Sequence, residues 1–145
     1  MSLIFGVDFD GTCVAHAFPL VGMEIGAAPV LKWLTDNDHK LILWTIRSKH
    51  ALEDAVSWFK KHDIPLYGIN KNPQASSWTS SPKAYANIYI DDAALGCPLK
   101  VDPLISDRPF VDWVAVKLML IEVLNGTLPI GYTAFIATED DNGPT

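Results

Sequence analysis

A run of apolar residues that ends on paired acids constrains this chain more than any other feature. Leu3 to Thr12 reads Leu-Ile-Phe-Gly-Val-Asp-Phe-Asp-Gly-Thr. A short run rich in branched and aromatic residues fits a strand buried on both faces of a parallel sheet. Ligands of open α/β sheets bind at the carboxyl ends of strands, which is where Asp8 and Asp10 fall. Alternate residues of an extended segment project to the same side, so the two carboxylates repel unless a cation lies between them. A hard divalent ion such as Mg2+ suits an all-oxygen site. Taken alone, the pair could equally be turn formers ending a strand, with Gly11 supplying the turn.

The chain repeats this pattern. Lys40 to Ile46 reads as a second buried strand, ending near Thr45. Pro65 to Ile69 reads as a short third strand, and Asn87 to Ile90 as a fourth that runs into Asp91 and Asp92. Helical spacing predicts a helix over Ala27–Asn37, with Pro29 in its first turn and Val30, Leu31 and Leu34 on one face. A second helix is predicted over His50–His62, with Ser48 as N-cap and a core face of Ala51, Leu52, Ala55, Val56 and Phe59. Pro98–Val101 reads as a fifth strand, and Pro109–Asn125 as a long helix stopped by Gly126. Strands alternating with helices give a three-layer α/β/α, Rossmann-like fold around a parallel sheet. Three strand ends carrying acids or a hydroxyl are hard to credit to turn propensity, and adjacent strands would bring them to one crevice.

Two connections read as loops. Cys13–Gly26, broken by Pro19, Gly22 and Gly26, is expected to form a flap over the acids, and Asn70–Ala86 a loop rich in Asn, Ser and Pro. Leu128–Ala137 is read as an extended segment and Glu139–Thr145 as a frayed tail. A single domain over 1–138 is expected, since 145 residues suffice for one substantial core.

The bulk properties narrow the function classes. A net charge of −6 disfavours a nucleic-acid-coating surface, which should be basic. It leaves room for a small anionic substrate, because a bound cation inverts the local field. Two cysteines, Cys13 and Cys97, do not make a disulfide framework and suit a cytoplasmic, reducing compartment. No apolar run has the length of a membrane span.

Asp8–Thr12 (Asp-x-Asp-Gly-Thr), Thr45 closing a hydrophobic strand, Lys83 before the fourth strand, and Asp91-Asp92 at its end resemble, in order, the four motifs of the haloacid dehalogenase superfamily. The segment from Lys83 to Asp92 is similar to that of small, capless members. This resemblance implies a Mg2+-dependent phosphomonoester hydrolase. Asp8 is then the nucleophile that forms an aspartyl-phosphate, and Asp10 the general acid and later base. Mg2+ is expected on Asp8, Asp10 (through its backbone carbonyl), Asp91 and, in an outer role, Asp92. Thr12, Thr45, Arg47 and Lys83 are expected around the phosphate, with Lys83 offsetting transition-state charge.

Several assignments compete. Lys71 lies in the same loop as Lys83 and competes for the lysine role. Arg47 suits substrate contact or a surface ion pair, and His16, in the flap, suits a leaving-group contact less well than a solvated loop position. Trp44 is expected in the core, whereas Trp78 is free to stack on a base or sugar. About thirty residues separate Thr12 from Thr45, too few for an independent cap. Capless relatives tend to act on large substrates, so a macromolecular phosphate ester is the expected partner. The predicted helix at 110–124 carries two apolar rows: Val111, Val114, Leu118 and Ile121, then Trp113, Val116, Leu120 and Leu124. Cover by Leu128–Ala137 or a homodimer contact would account for the second. The alternatives to a phosphatase are a non-catalytic Mg2+- or partner-binding member of the fold and, disfavoured by motif order, a receiver-like signalling module.

Overall fold

A computed structural model describes residues 2–126. Four strands form a parallel sheet: β1 (Ile4–Val7), β2 (Lys40–Leu43), β3 (Gly68–Ile69) and β4 (Ile88–Ile90), in the order β3-β2-β1-β4. Helices α1 (Ala27–Asp36) and α2 (Lys49–Lys61) make the crossovers from β1 to β2 and from β2 to β3. This central parallel sheet with flanking helices is the α/β/α, Rossmann-like organisation expected from the sequence. Its inner strands bury their apolar side chains: Phe5, Val7, Leu41, Ile42 and Leu43 have no exposed surface.

Topology positions the site. The chain steps outward from β1 to β2 to β3, then returns to place β4 on the other side of β1. β1 and β4 therefore border a topological switch point, where α/β sheets open a crevice at their carboxyl ends. Gly6 of β1 sits directly beside Tyr89 of β4, and a Cβ there would come within 2.7 Å of the Tyr89 ring. Backbone bonds carry the ladders one residue past the strands, from Asp8 N–H to Ile90 C=O (3.0 Å) and from Trp44 N–H to Val7 C=O (2.8 Å).

Helix faces follow the apolar spacing with local differences. In α1, Ala27, Ala28, Val30, Leu31 and Leu34 are buried. In α2 the buried residues are Ala55, Trp58 and Phe59, while Ala51, Leu52 and Val56 are half-buried. Trp58 replaces the smaller residues because its ring packs edge-on against Phe9 and Phe59. Ser48 occupies the N-cap position of α2 without a side-chain cap bond.

The C-terminal third departs from expectation. Leu99–Lys100 (β5) is a strand, but it lies outside the main sheet and pairs antiparallel with Phe110–Val111 (β6). The predicted helix from Pro109 therefore starts only at Trp113, as α3 (Trp113–Leu124). A mostly apolar stretch from Phe110, interrupted by Asp112, concealed the change from strand to helix. The chain divides into two compact units at Trp113–Val114. In the second, Val116, Leu120 and Val123 are buried, whereas Val114, Leu118 and Ile121 are exposed. The predicted extended segment at Leu128–Ala137, the domain end at 138 and the tail at 139–145 lie outside the described residues. Among the described residues no helix is long and apolar enough to cross a membrane.

Candidate active site

Asp8 follows β1, and Asp91 and Asp92 follow β4. Each offers a carboxylate oxygen, and the three oxygens lie within 4.8 Å of one another. Thr12 ties them together. Its hydroxyl donates to Asp8 Oδ2 (2.7 Å) and accepts the Asp92 backbone N–H (3.0 Å). Burial pushes the Asp8 carboxyl from an ordinary 3.8 up to about 8, and the Asp91 and Asp92 carboxylates add to that rise against the Thr12 hydrogen bond. An ion of the Mg2+ class suits this all-oxygen donor set, since its charge would offset the burial and the neighbouring carboxylates that raise the Asp8 carboxyl.

The tight loop after Asp10 explains its glycine. Gly11 has φ 79°, and a Cβ there would press into the His16 ring and Asp92. Two distant residues hold the loop from behind. The Val111 N–H donates to Gly11 C=O (3.0 Å), and the Trp113 indole N–H donates to Thr12 C=O (2.6 Å). The sequence placed both in apolar rows of the predicted 110–124 helix and gave no sign that they support this loop, 101 positions from Thr12 in the case of Trp113.

Asp10 lies apart from the three acids. Its oxygens accept from Arg47 Nε (2.8 Å, Oδ2) and Nη2 (2.7 Å, Oδ1). Arg47 also donates to the carbonyls of Pro19 (3.2 Å), Leu20 (2.7 Å) and Ala51 (3.1 Å). These five bonds use every N–H of the guanidinium, and its side chain has no exposed surface. The expected substrate contact or surface ion pair of Arg47 is therefore replaced by a buried ion pair. The expected metal role of Asp10 does not extend to its side chain, which faces Arg47.

Cys13–Gly26 forms the expected flap. Val14 bridges to Glu24, and the Ala15 N–H donates to Met23 C=O (2.9 Å). Glu24 accepts from Trp58 Nε1 (2.9 Å) and pairs with His62 (2.8 Å), fixing the flap base to α2. His16 is not solvated as expected: its Nε2 lies 3.0 Å from Asp92 Oδ2, with 14% of the side chain exposed. The flap tip is apolar and open, with Phe18, Leu20 and Met23 exposed.

Between the ends of β1, β2 and β4 lies a cleft of about 550 Å3 lined by Asp8, Trp44, Thr45, Ile46, Asn70, Pro82 and Asp91. Thr45 is shaped by its neighbours. Asn70 Oδ1 accepts the Thr45 N–H (2.7 Å), Asn70 Nδ2 donates to Thr45 C=O (2.8 Å), and Thr45 Oγ1 accepts the Arg47 N–H (3.1 Å). Its hydroxyl proton is left for the cleft. Trp44, expected in the core, is half-buried on the cleft wall. Trp78 is half-exposed and edge-on to Tyr85. Lys83 and Lys71 are exposed and do not line the cleft. The Lys83 ammonium lies 5.7 Å from the Tyr89 ring centroid, and among the described residues no ion pair joins it to Asp8, Asp91 or Asp92. The thiols of Cys13 and Cys97 are unpaired, and burial raises both above the usual thiol range.

No protein-family model matches the chain, and no curated protein matches it. A solved structure, described as that of a conserved protein coded by a locus from Bacteroides thetaiotaomicron, is similar. It shares 32% identity, with 84% of this chain and 92% of that chain covered and a TM-score of 0.67.

Proposed function

This chain belongs to the same family as the conserved Bacteroides thetaiotaomicron protein, and we propose from its site that it is a Mg2+-dependent phosphomonoester hydrolase of the haloacid dehalogenase type. The observation that carries the proposal is the meeting of Asp8, Asp91 and Asp92 at a cleft that also presents Thr45. Asp8, Asp91 and Asp92 are the side chains that would hold Mg2+, whose charge lets carboxylate and phosphate, both anions, approach each other.

The chain's own groups then divide the work. Asp8 attacks phosphorus, so that an Asp8 oxygen–phosphorus bond forms as the bond to the leaving oxygen breaks. Thr12 holds Oδ2 of that carboxylate in place. Asp10 delivers a proton to the leaving oxygen, then takes one from the water that hydrolyses the aspartyl-phosphate. That second displacement frees phosphate and restores Asp8. The Thr45 hydroxyl donates to a phosphoryl oxygen, and Lys83 reaches in from the cleft rim to offset charge. Trp44, Ile46 and Pro82 are left to face the rest of the substrate. An open cleft that no cap covers among the described residues supports a macromolecular phosphate ester, and two thiols outside any disulfide support a cytoplasmic setting.

A non-catalytic metal-binding role has one observation on its side, namely that both oxygens of Asp10 are occupied by Arg47. Phosphate release from 4-nitrophenyl phosphate separates the two. Turnover by wild type with Mg2+, its loss in EDTA, and a fall on the order of 10^4-fold or more in Asp8→Asn, the scale of removing a nucleophile, support hydrolysis. An inert wild type that still binds Mg2+ leaves the non-catalytic role. Equal activity in both proteins removes Asp8 as nucleophile.

A further inference from the structure

One guanidinium joins three parts of this molecule. Arg47 grips both oxygens of Asp10, the backbone carbonyls of Pro19 and Leu20 at the flap tip, and the carbonyl of Ala51 in the first turn of α2. It is sandwiched between rings, with Cζ 5.0 Å from the Phe9 centroid and 5.2 Å from that of Phe18. Its side chain is fully buried, while that of Asp10 keeps 17% of its surface exposed. A surface pair needs none of this. Two carbonyls of an otherwise open loop converge on a cation that has no donor left for any ligand.

We propose that Arg47 is a positioning residue that couples the flap to Asp10, so that the direction of the Asp10 carboxylate is set by where the flap tip sits. The planar fork makes the coupling geometric. Nη2 donates at once to Asp10 Oδ1 and Leu20 C=O, both at 2.7 Å, so the guanidinium plane cannot turn toward one without leaving the other. For Asp10 to protonate a leaving group, its carboxylate must be aimed into the cleft while Arg47 holds it. A substrate that moves the flap tip shifts Pro19 and Leu20 and turns the fork, and the carboxylate with it, toward the leaving oxygen. Proton delivery is thereby confined to the time when the cleft is occupied, where among the described residues no cap excludes water. Lysine at position 47 would keep the charge but lose the fork.

The kinetic half of this inference rests on the phosphatase reading, and its structural half does not. In Arg47→Lys, kcat/KM for an alkyl phosphate, whose alcohol must leave with a proton, is expected to fall about a hundredfold, within the range of acid catalysis. For 4-nitrophenyl phosphate, whose phenolate leaves unaided, the fall is expected to stay below about tenfold. Phe18→Ala removes only an exposed ring from over the guanidinium, so it is expected to fold and to give the same ordering at smaller amplitude. Independently of turnover, Asp10→Asn is expected to speed amide exchange at Ala15 and Leu20 in the flap about tenfold or more, with exchange in α1 unchanged. Equal losses on both substrates, or a flap indifferent to Asp10→Asn, overturns the proposal. If wild type hydrolyses neither ester, the phosphatase reading fails and the exchange measurement alone decides the coupling.

Discussion

Two acids two residues apart, Asp8 and Asp10, stand in opposite electrostatic settings. Asp10 has a cation supplied by the fold, since Arg47 grips both of its oxygens from a fully buried position. Asp8 has none. Its neighbours are Asp91 and Asp92, and burial drives its carboxyl up to about 8. One half of the motif is neutralised within the chain, and the other is a group of three carboxylates that, on the proposed reading, an added cation would complete. On the proposed reading, a raised Asp8 carboxyl would be a poorer nucleophile until Mg2+ offsets the charge around it.

Removing each acid in turn breaks the comparison most directly. Asp10→Ala leaves the Arg47 charge buried without its partner, which is expected to cost about 3–5 kcal/mol. Replacing both, as in Asp10→Ala/Arg47→Met, should cost less than the single change, because no charge is left stranded. Asp8→Asn should do the reverse of Asp10→Ala, raising the urea midpoint of Mg2+-free protein at pH 8. Urea unfolding of the four proteins measures this. Destabilisation of the same sign by Asp8→Asn and Asp10→Ala would mean that Asp8 also has an internal counter-charge.

The proton on Asp8 gives the next effect. The folded carboxyl holds its proton up to about pH 8, whereas an unfolded Asp releases it near 3.8. Across that window the folded state binds more protons, so stability of the Mg2+-free protein falls as pH rises and levels off above about 8. Added Mg2+ should restore it most at pH 8 and least near pH 4, by about 2.7 kcal/mol at a hundred times its Kd. Binding at neutral pH should also release a proton, readable with an indicator dye in weak buffer. A thermal midpoint that rises with pH through this window without metal would contradict the electrostatic contrast.

Legibility in the sequence divides along the same line. β1, β2 and β4 were readable because branched apolar runs ended on acids or a threonine, and the cleft's chemistry sits at those ends. The pairings that tune it were not. Arg47 meets Asp10 across 37 positions and His16 meets Asp92 across 76. A charge next to a strand end, or a histidine in a loop, carries no local sign of a buried partner. Trp44 looked like core because its neighbours are core, yet one residue past β2 the side chains turn toward the cleft. β6 was hidden for another reason. Phe110–Val111 and α3 form one mostly apolar stretch interrupted by Asp112, Lys117 and Glu122, and strand and helix differ there only by a period too short to read over two residues.

The smallest expected effect concerns the lysine that would make the two halves alike. Lys83 has the sequence position of a charge-offsetting cation, but its ammonium lies over the Tyr89 ring rather than on an acid. If the Asp8 side has no cation of its own, Lys83→Met should change the stability of Mg2+-free protein by no more than about 0.5 kcal/mol, the range of an ordinary surface substitution. It should also leave the pH dependence of that stability where it was. The same variant assayed with Mg2+ and 4-nitrophenyl phosphate should lose turnover, because the lysine acts only once a phosphoryl group draws it in. A drop in stability well beyond that range, or a steeper fall with pH, would place Lys83 on the acids before substrate arrives. The contrast between a self-neutralised Asp10 and a cation-starved Asp8 would then be one of degree, and Mg2+ would share its role with a residue of the chain.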